Sequence, residues 1–167
     1  YGFRMEINGV PLHPLVIHAT VVLTPLAGVL AVLYGVVPRW RWFTRWPFVF
    51  AALVGAGVTW YSAETGDDLK DQLGLHSNLM ETHQMWAGRL QLAMWVLAAV
   101  TLVAAYVMPF INPLARGTDK GARIGVLSKP LVVLLPVVGI VVIVFVIFTG
   151  DAGARLVWAG GVNTQAA

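Results

Sequence analysis

Four long stretches of the chain carry almost no charge, and each is close to the length a helix needs to cross a bilayer. A hydrocarbon core takes about 20 apolar residues at the helical rise. The stretches run from about residue 14 to 37, 47 to 63, 81 to 108 and 128 to 149. The first and second are uncharged, the fourth is uncharged after Lys129, and the third has Arg89 as its one internal charge. A single stretch of this kind can be a buried helix of a large soluble core. Four of them in 167 residues leave too little polar surface for that reading. Only 11% of the residues are charged, against about 25% in soluble domains, and the mean hydropathy is +0.76. The expected fold is all-α: an integral membrane four-helix bundle, one domain over residues 1–167.

Local chemistry sets the expected helix limits. Pro14 and Pro47 suit a first helical turn, where the missing N–H has no partner to lose. His13 precedes a proline and is expected outside the helix, at its cap. Gly66 and Gly150 read as C-terminal helix glycines. Pro25 and Pro136 fall inside the first and fourth stretches, where each deletes a backbone hydrogen bond and should kink its helix. No basic region followed by a short apolar run precedes the first stretch, so no signal peptide is expected there.

The connecting segments predict an orientation. Those after the first and third stretches hold Arg39, Arg41, Arg45, Arg116, Lys120, Arg123 and Lys129 against Asp119 alone. The opposite side holds Arg4, Lys70 and Arg155 against Glu6, Glu64, Asp67, Asp68, Asp71, Glu81 and Asp151. Basic loops face the cytoplasm. The expected arrangement is a multi-pass protein of the bacterial cytoplasmic membrane, with both termini and the acidic side outside. The high isoelectric point, about 9.6, is then a membrane-sidedness signal, and no nucleic-acid partner is implied. Trp40, Trp42, Phe43 and Trp46 read as an interfacial aromatic belt among arginines that contact lipid phosphates.

A weak internal repeat divides the chain into two helical hairpins. The second stretch ends in Thr65-Gly66-Asp67 and the fourth in Thr149-Gly150-Asp151, and histidines mark the starts of the first and third. The hairpins would be related by an axis along the membrane normal. With this topology His13, His18, His76 and His83 all fall on the acidic side.

Three kinds of work are open to such a cluster. The first is ligation of haem b, which needs an axial histidine from one or both sides. His18 and His83 lie at similar shallow depth on different stretches and are the expected ligands, with His13 and His76 as weaker candidates. Arg89 is a partner for a propionate. Ala51, Ala52, Gly55, Ala56 and Gly57 offer a slot for the ring, or simply allow close helix packing. The second is a divalent-metal site, although His13 and His18 stand about 140° apart on an ideal helix and would not readily share an ion. The third is plain interfacial polarity, the first reading for any one of these histidines. Arg89 either pairs with Glu64, Asp67, Asp68 or an anionic cofactor group, or snorkels to the interface.

Other classes find no support in the residues. Cysteine is absent, which excludes disulfides, thiolate metal sites and cysteine-held iron–sulfur clusters. Gly-x-Ser-x-Gly, His-Glu-x-x-His and phosphate-loop motifs are missing. The membrane stretches hold too few deep charges for an ion channel or a proton-coupled transporter. No enzymatic activity of its own is expected.

The opening Val10-Pro11-Leu12-His13-Pro14-Leu15-Val16-Ile17-His18 resembles the His-Pro-Leu-x-x-His start of a bacterial membrane family, domain of unknown function 2231. Thr65-Gly-Asp-Asp, Glu81-Thr-His83 with Trp86, and Thr149-Gly-Asp-Ala-Gly-Ala-Arg-Leu-Val-Trp158 are similar to its middle and closing segments, so the likeness spans nearly the whole chain. The resemblance implies the four-span topology. Relatives often carry histidine after the closing Thr-Gly, where this chain has Asp151, and that departure counts against a second haem. The leading expectation is a haem b-binding electron-transfer component of a respiratory or redox membrane complex. The alternatives are a cofactor-free accessory subunit packed against larger membrane partners, and a divalent-metal-binding membrane protein.

Overall fold

In the computed structural model, helices occupy all four apolar stretches, and the second and fourth run well past the limits that hydropathy sets. The structure describes residues 6–7, 9–74, 76–110 and 125–163. The helices are α1 (Leu12–Val36), α2 (Arg41–Leu73), α3 (Asn78–Val107) and α4 (Gly125–Asn163). A two-residue antiparallel ladder precedes them, β1 (Glu6–Ile7) against β2 (Val10–Pro11). Gly9 makes its turn at φ +79°, a backbone region that L side chains rarely enter. Arg4, Arg116, Asp119, Lys120 and Arg123 lie outside the described residues, so the charge difference between the two ends is a property of the sequence there.

Each helix is apolar and long enough to cross a membrane. At 1.5 Å per residue, α2 is ~50 Å long and α4 ~58 Å, well beyond a hydrocarbon core of about 30 Å. The excess appears where termination was expected. Gly66 and Gly150 sit inside α2 and α4 at negative φ. The glycine that stops α2 is Gly74, at φ +61° and ψ 33°, its N–H turned back toward the carbonyls of Lys70 and Asp71. Hydropathy marks where a helix leaves lipid, not where its backbone stops, and the run from Glu64 to Leu73 includes the good helix formers Glu64, Leu69, Lys70, Gln72 and Leu73.

Two proline readings also change. Pro47 lies inside α2, which starts six residues earlier at Arg41. Pro14 does fall in the first turn of α1, but the helix starts at Leu12, so His13 is helical and not outside the cap. The residue before proline is biased away from helix, not barred from it. Pro25 and Pro136 are inside α1 and α4 as expected. The third helix starts on a side-chain cap, the Ser77 hydroxyl accepting from the Met80 N–H at 3.2 Å.

The helices form an antiparallel ring in which α1 packs on α2 and α4, and α3 on α2 and α4. Lipid is as apolar as leucine, so close backbone approach has to supply the association. Gly28 of α1 meets Gly139 of α4 so tightly that a methyl group on either would fall within 2.7 Å of the other's carbonyl oxygen. Gly35 packs on the Pro136 ring, and Gly55 receives the Met94 methyl from α3. Ala27, Ala31, Phe48, Ala52, Leu97 and Leu135 fill the core, while Val22, Phe50, Leu92, Val133 and Ile147 face outward. The buried threonine hydroxyls are satisfied locally. Thr24, Thr59 and Thr101 donate to the carbonyls of Thr20, Gly55 and Leu97, each four residues back. Their hydroxyls are occupied by their own helices.

At the basic end, Arg41 is 5% exposed and works as a fastener. Its Nε donates to the Tyr34 carbonyl at 2.9 Å and its Nη2 to that of Gly35 at 3.1 Å, satisfying the end of α1. Its Nη1 reaches the Pro109 carbonyl beyond α3 at 3.5 Å. At the acidic end α2 and α3 are joined through Gln84, which donates to Asp67 at 2.9 Å and accepts from Lys70 at 3.1 Å.

Candidate histidine site

Two of the four histidines are held in the same way by the two hairpins. From the first turn of α1, the His13 Nδ1 lies 3.0 Å from the Ser62 carbonyl of α2. From α3, the His83 Nδ1 lies 3.1 Å from the Thr149 carbonyl of α4. A carbonyl only accepts, so each Nδ1 carries a proton, and in the neutral ring each Nε2 keeps its lone pair. One helical turn beyond each carbonyl stands a glycine on which the ring rests. A Cβ at Gly66 would fall 3.0 Å from the Cε1 of His13, and one at Gly153 would fall 3.1 Å from the Cε1 of His83. Both rings are partly buried, and they lie within electrostatic reach of each other. Asp67 is within similar reach of His13.

This pairing revises the repeat. The Thr-Gly-Asp match aligns Thr65 with Thr149 and Gly66 with Gly150. The contacts instead equate Ser62 with Thr149 and Gly66 with Gly153, a shift of three residues. Gly150 has nothing near the position its Cβ would take. The repeated unit is a carbonyl followed four residues later by a glycine, which a search for identical tripeptides does not detect.

The other expected site residues sit elsewhere. His18 is exposed on the outside of the bundle, its Nδ1 bonded to the Pro14 carbonyl of its own helix. The structure holds His13, not His18, against a facing helix in the way it holds His83. His76 is exposed in the connection between α2 and α3. Arg89 is on the surface, its guanidinium carbon 4.7 Å from the centre of the Trp86 ring, and Trp86 in turn stacks on Phe148 at 4.6 Å. A cleft of about 240 Å³ opens beside this stack between α3 and α4, with Thr82 and the Asp151–Arg155 ion pair on its walls. The slot expected along α2 is filled at Gly55 by Met94, and Ala51, Ala52 and Ala56 are buried in the packed core. Small residues there serve helix contact. Among the described residues, no three His, Asp or Glu side chains are grouped to hold a metal ion.

Residues 9–166 match the family described as "Predicted membrane protein (DUF2231)". The chain belongs to this family. No curated protein and no solved structure matches it. As a member of the family it is a predicted integral membrane protein, and its opening His-Pro-Leu-x-x-His motif can now be divided by position. The first histidine turns into the bundle and the second turns out. Ser62, Gly66 and Gly153 complete the arrangement and were not singled out by sequence reasoning as site residues. The available signal was a pair of glycines set four residues after a polar residue near the end of an apolar stretch.

Proposed function

We propose that this protein is a haem b-binding electron-transfer component of a bacterial redox membrane complex, with His13 and His83 as the iron ligands. The observation that carries this reading is the state of the two rings. Histidines that ligate metals usually give their other ring N–H to a backbone carbonyl or carboxylate, which fixes the tautomer and the ring plane. Both histidines have that partner, and both present a free Nε2. Their positions repeat across two hairpins, as ligation of one group from two sides requires. When bound, the haem would supply the one-electron chemistry. The chain's own residues would orient the ligands and, through Asp67 and Lys70, set the charge around them. In this reading the acidic end faces outward and the Arg-rich end faces the cytoplasm, following the loop charges.

The test is the optical spectrum of the full-length protein purified from cells supplied with a haem precursor. A Soret band is expected. His13→Ala and His83→Ala should each abolish or strongly shift it, and His18→Ala should leave it in place. A colourless wild-type protein overturns the proposal. If that protein co-purifies with a larger membrane complex, the cofactor-free accessory role replaces it. A Soret band that follows His18 instead of His13 overturns the ligand assignment.

A further inference from the structure

At the basic end, Arg45 and Tyr34 leave hydrogen-bonding groups unanswered. The Arg45 guanidinium carbon lies 4.9 Å from the Phe110 ring centre and 5.4 Å from that of Trp46. Ring contacts of this kind use the face of the guanidinium and leave its in-plane N–H donors unsatisfied. The Arg45 Nε is buried and, among the described residues, has no hydrogen-bond partner. The same is true of the Tyr34 hydroxyl, on a side chain that is 0% exposed. Tyr34 packs against Phe48 with ring centres 5.5 Å apart, and Phe48 lies one helical turn from Arg45 on α2. A buried polar group without a partner costs about 1–3 kcal/mol, and native structures hold few of them.

The helices themselves have no anion to offer. The sequence contains no Asp or Glu between Glu6 and Glu64, between Glu81 and Asp119, or between Asp119 and Asp151. Arg39, Arg41 and Arg45 therefore gather at this end without a helical carboxylate, and the donors of Arg41 are already taken by carbonyls. The exposed rings of Trp40, Phe43 and Trp46 mark the depth of lipid headgroups. The anion abundant at that depth is a lipid phosphate.

We infer that Arg45 and Tyr34 form a binding site for the phosphate of an anionic phospholipid. The guanidinium edge gives parallel N–H bonds to the two non-bridging phosphate oxygens, and the Tyr34 hydroxyl donates to one of them. The Phe110 ring, past the end of α3, covers the guanidinium face and leaves its edge to the headgroup. A zwitterionic choline headgroup brings its own cation toward three arginines and is disfavoured. This site lies at the opposite end from the histidine pair and stands whether or not that pair holds haem.

Native mass spectrometry of the full chain in detergent tests it, by titration with phosphatidylglycerol, phosphatidylcholine and inorganic phosphate. Phosphatidylglycerol should bind about tenfold more tightly than phosphatidylcholine, and Arg45→Gln should remove about that tenfold preference. Arg45→Lys keeps the charge but lacks the planar fork, and should lose most of the preference. Tyr34→Phe removes one hydroxyl within an otherwise unchanged core, so it remains informative if an Arg45 variant fails to fold, and it too should weaken binding. Arg39→Gln, which removes one exposed charge, should keep most of the preference. Equal affinity for the two lipids, or wild-type binding by Arg45→Lys or Tyr34→Phe, overturns the site. Displacement of the lipid by millimolar inorganic phosphate reassigns it to a free anion and overturns the lipid.

Discussion

At the scale of single residues, one missing methyl group decides how each imidazole lies. Alanine at Gly66 would bring Cβ to 3.0 Å from the His13 ring, and alanine at Gly153 to 3.1 Å from that of His83. Each ring must then give by a few tenths of an ångström, against a hydrogen bond that holds it to the facing helix. Gly66→Ala is expected to alter the ring-nitrogen NMR signals of His13 alone, and Gly153→Ala those of His83 alone. Wild-type spectra should show the Nδ1–H tautomer at both. A change at His18 or His76 instead would contradict the geometry. Arg41 makes a second residue-scale case. Removing its fork leaves the carbonyls of Tyr34 and Gly35 without their donors, so Arg41→Gln should destabilise the protein by about 2–3 kcal/mol, as hydrogen bonds to charged groups do. Unfolding in mixed detergent micelles measures this. Nothing in the sequence separates Arg41 from Arg39 or Arg45. Only the folded chain shows that one is a helix fastener, one is surface-facing and one is boxed between aromatic rings.

At the scale of elements, the helices meet through glycines whose neighbours differ sharply. Gly28 and Gly139 face each other with no room for a side chain. Gly28→Ala or Gly139→Ala should pry α1 from α4 and cost about 1–3 kcal/mol, the usual cost of overpacking. Gly57 and Gly88 have nothing near them. There the better helix propensity of alanine should leave stability unchanged or raise it by up to ~1 kcal/mol. The same unfolding assay separates the two pairs, and equal effects would show that the α1–α4 contact is looser than described. The existence and order of the four helices were legible in the apolar stretches. Their ends were not, because α2 and α4 continue into polar sequence as helix, and a glycine stops a helix only where the backbone turns left-handed, as at Gly74 and not at Gly66.

At the scale of the whole molecule, charge asymmetry makes a prediction about the membrane. The chain has no cysteine, so a single introduced thiol reports position without background. His76 is exposed at the acidic end. His76→Cys should react with a membrane-impermeant maleimide in intact cells whose outer membrane is opened. Labelling only after the cytoplasmic membrane is broken would invert the orientation and put the histidine pair on the cytoplasmic side.

The sequence by itself determined that this chain crosses a membrane as four helices in two hairpins. A bilayer offers backbone groups no partners, so a long apolar segment satisfies its hydrogen bonds as a helix, and alternate connections place all four histidines at one end. What only the tertiary structure decided is which histidines are held against a facing helix. A helix that is apolar on every side carries no stripe to fix its rotation about its own axis. Rotation here is set by contacts between helices: Gly28 against Gly139, His13 over Gly66 and His83 over Gly153. Those contacts turn His13 inward and His18 outward, although five residues separate the two in one motif.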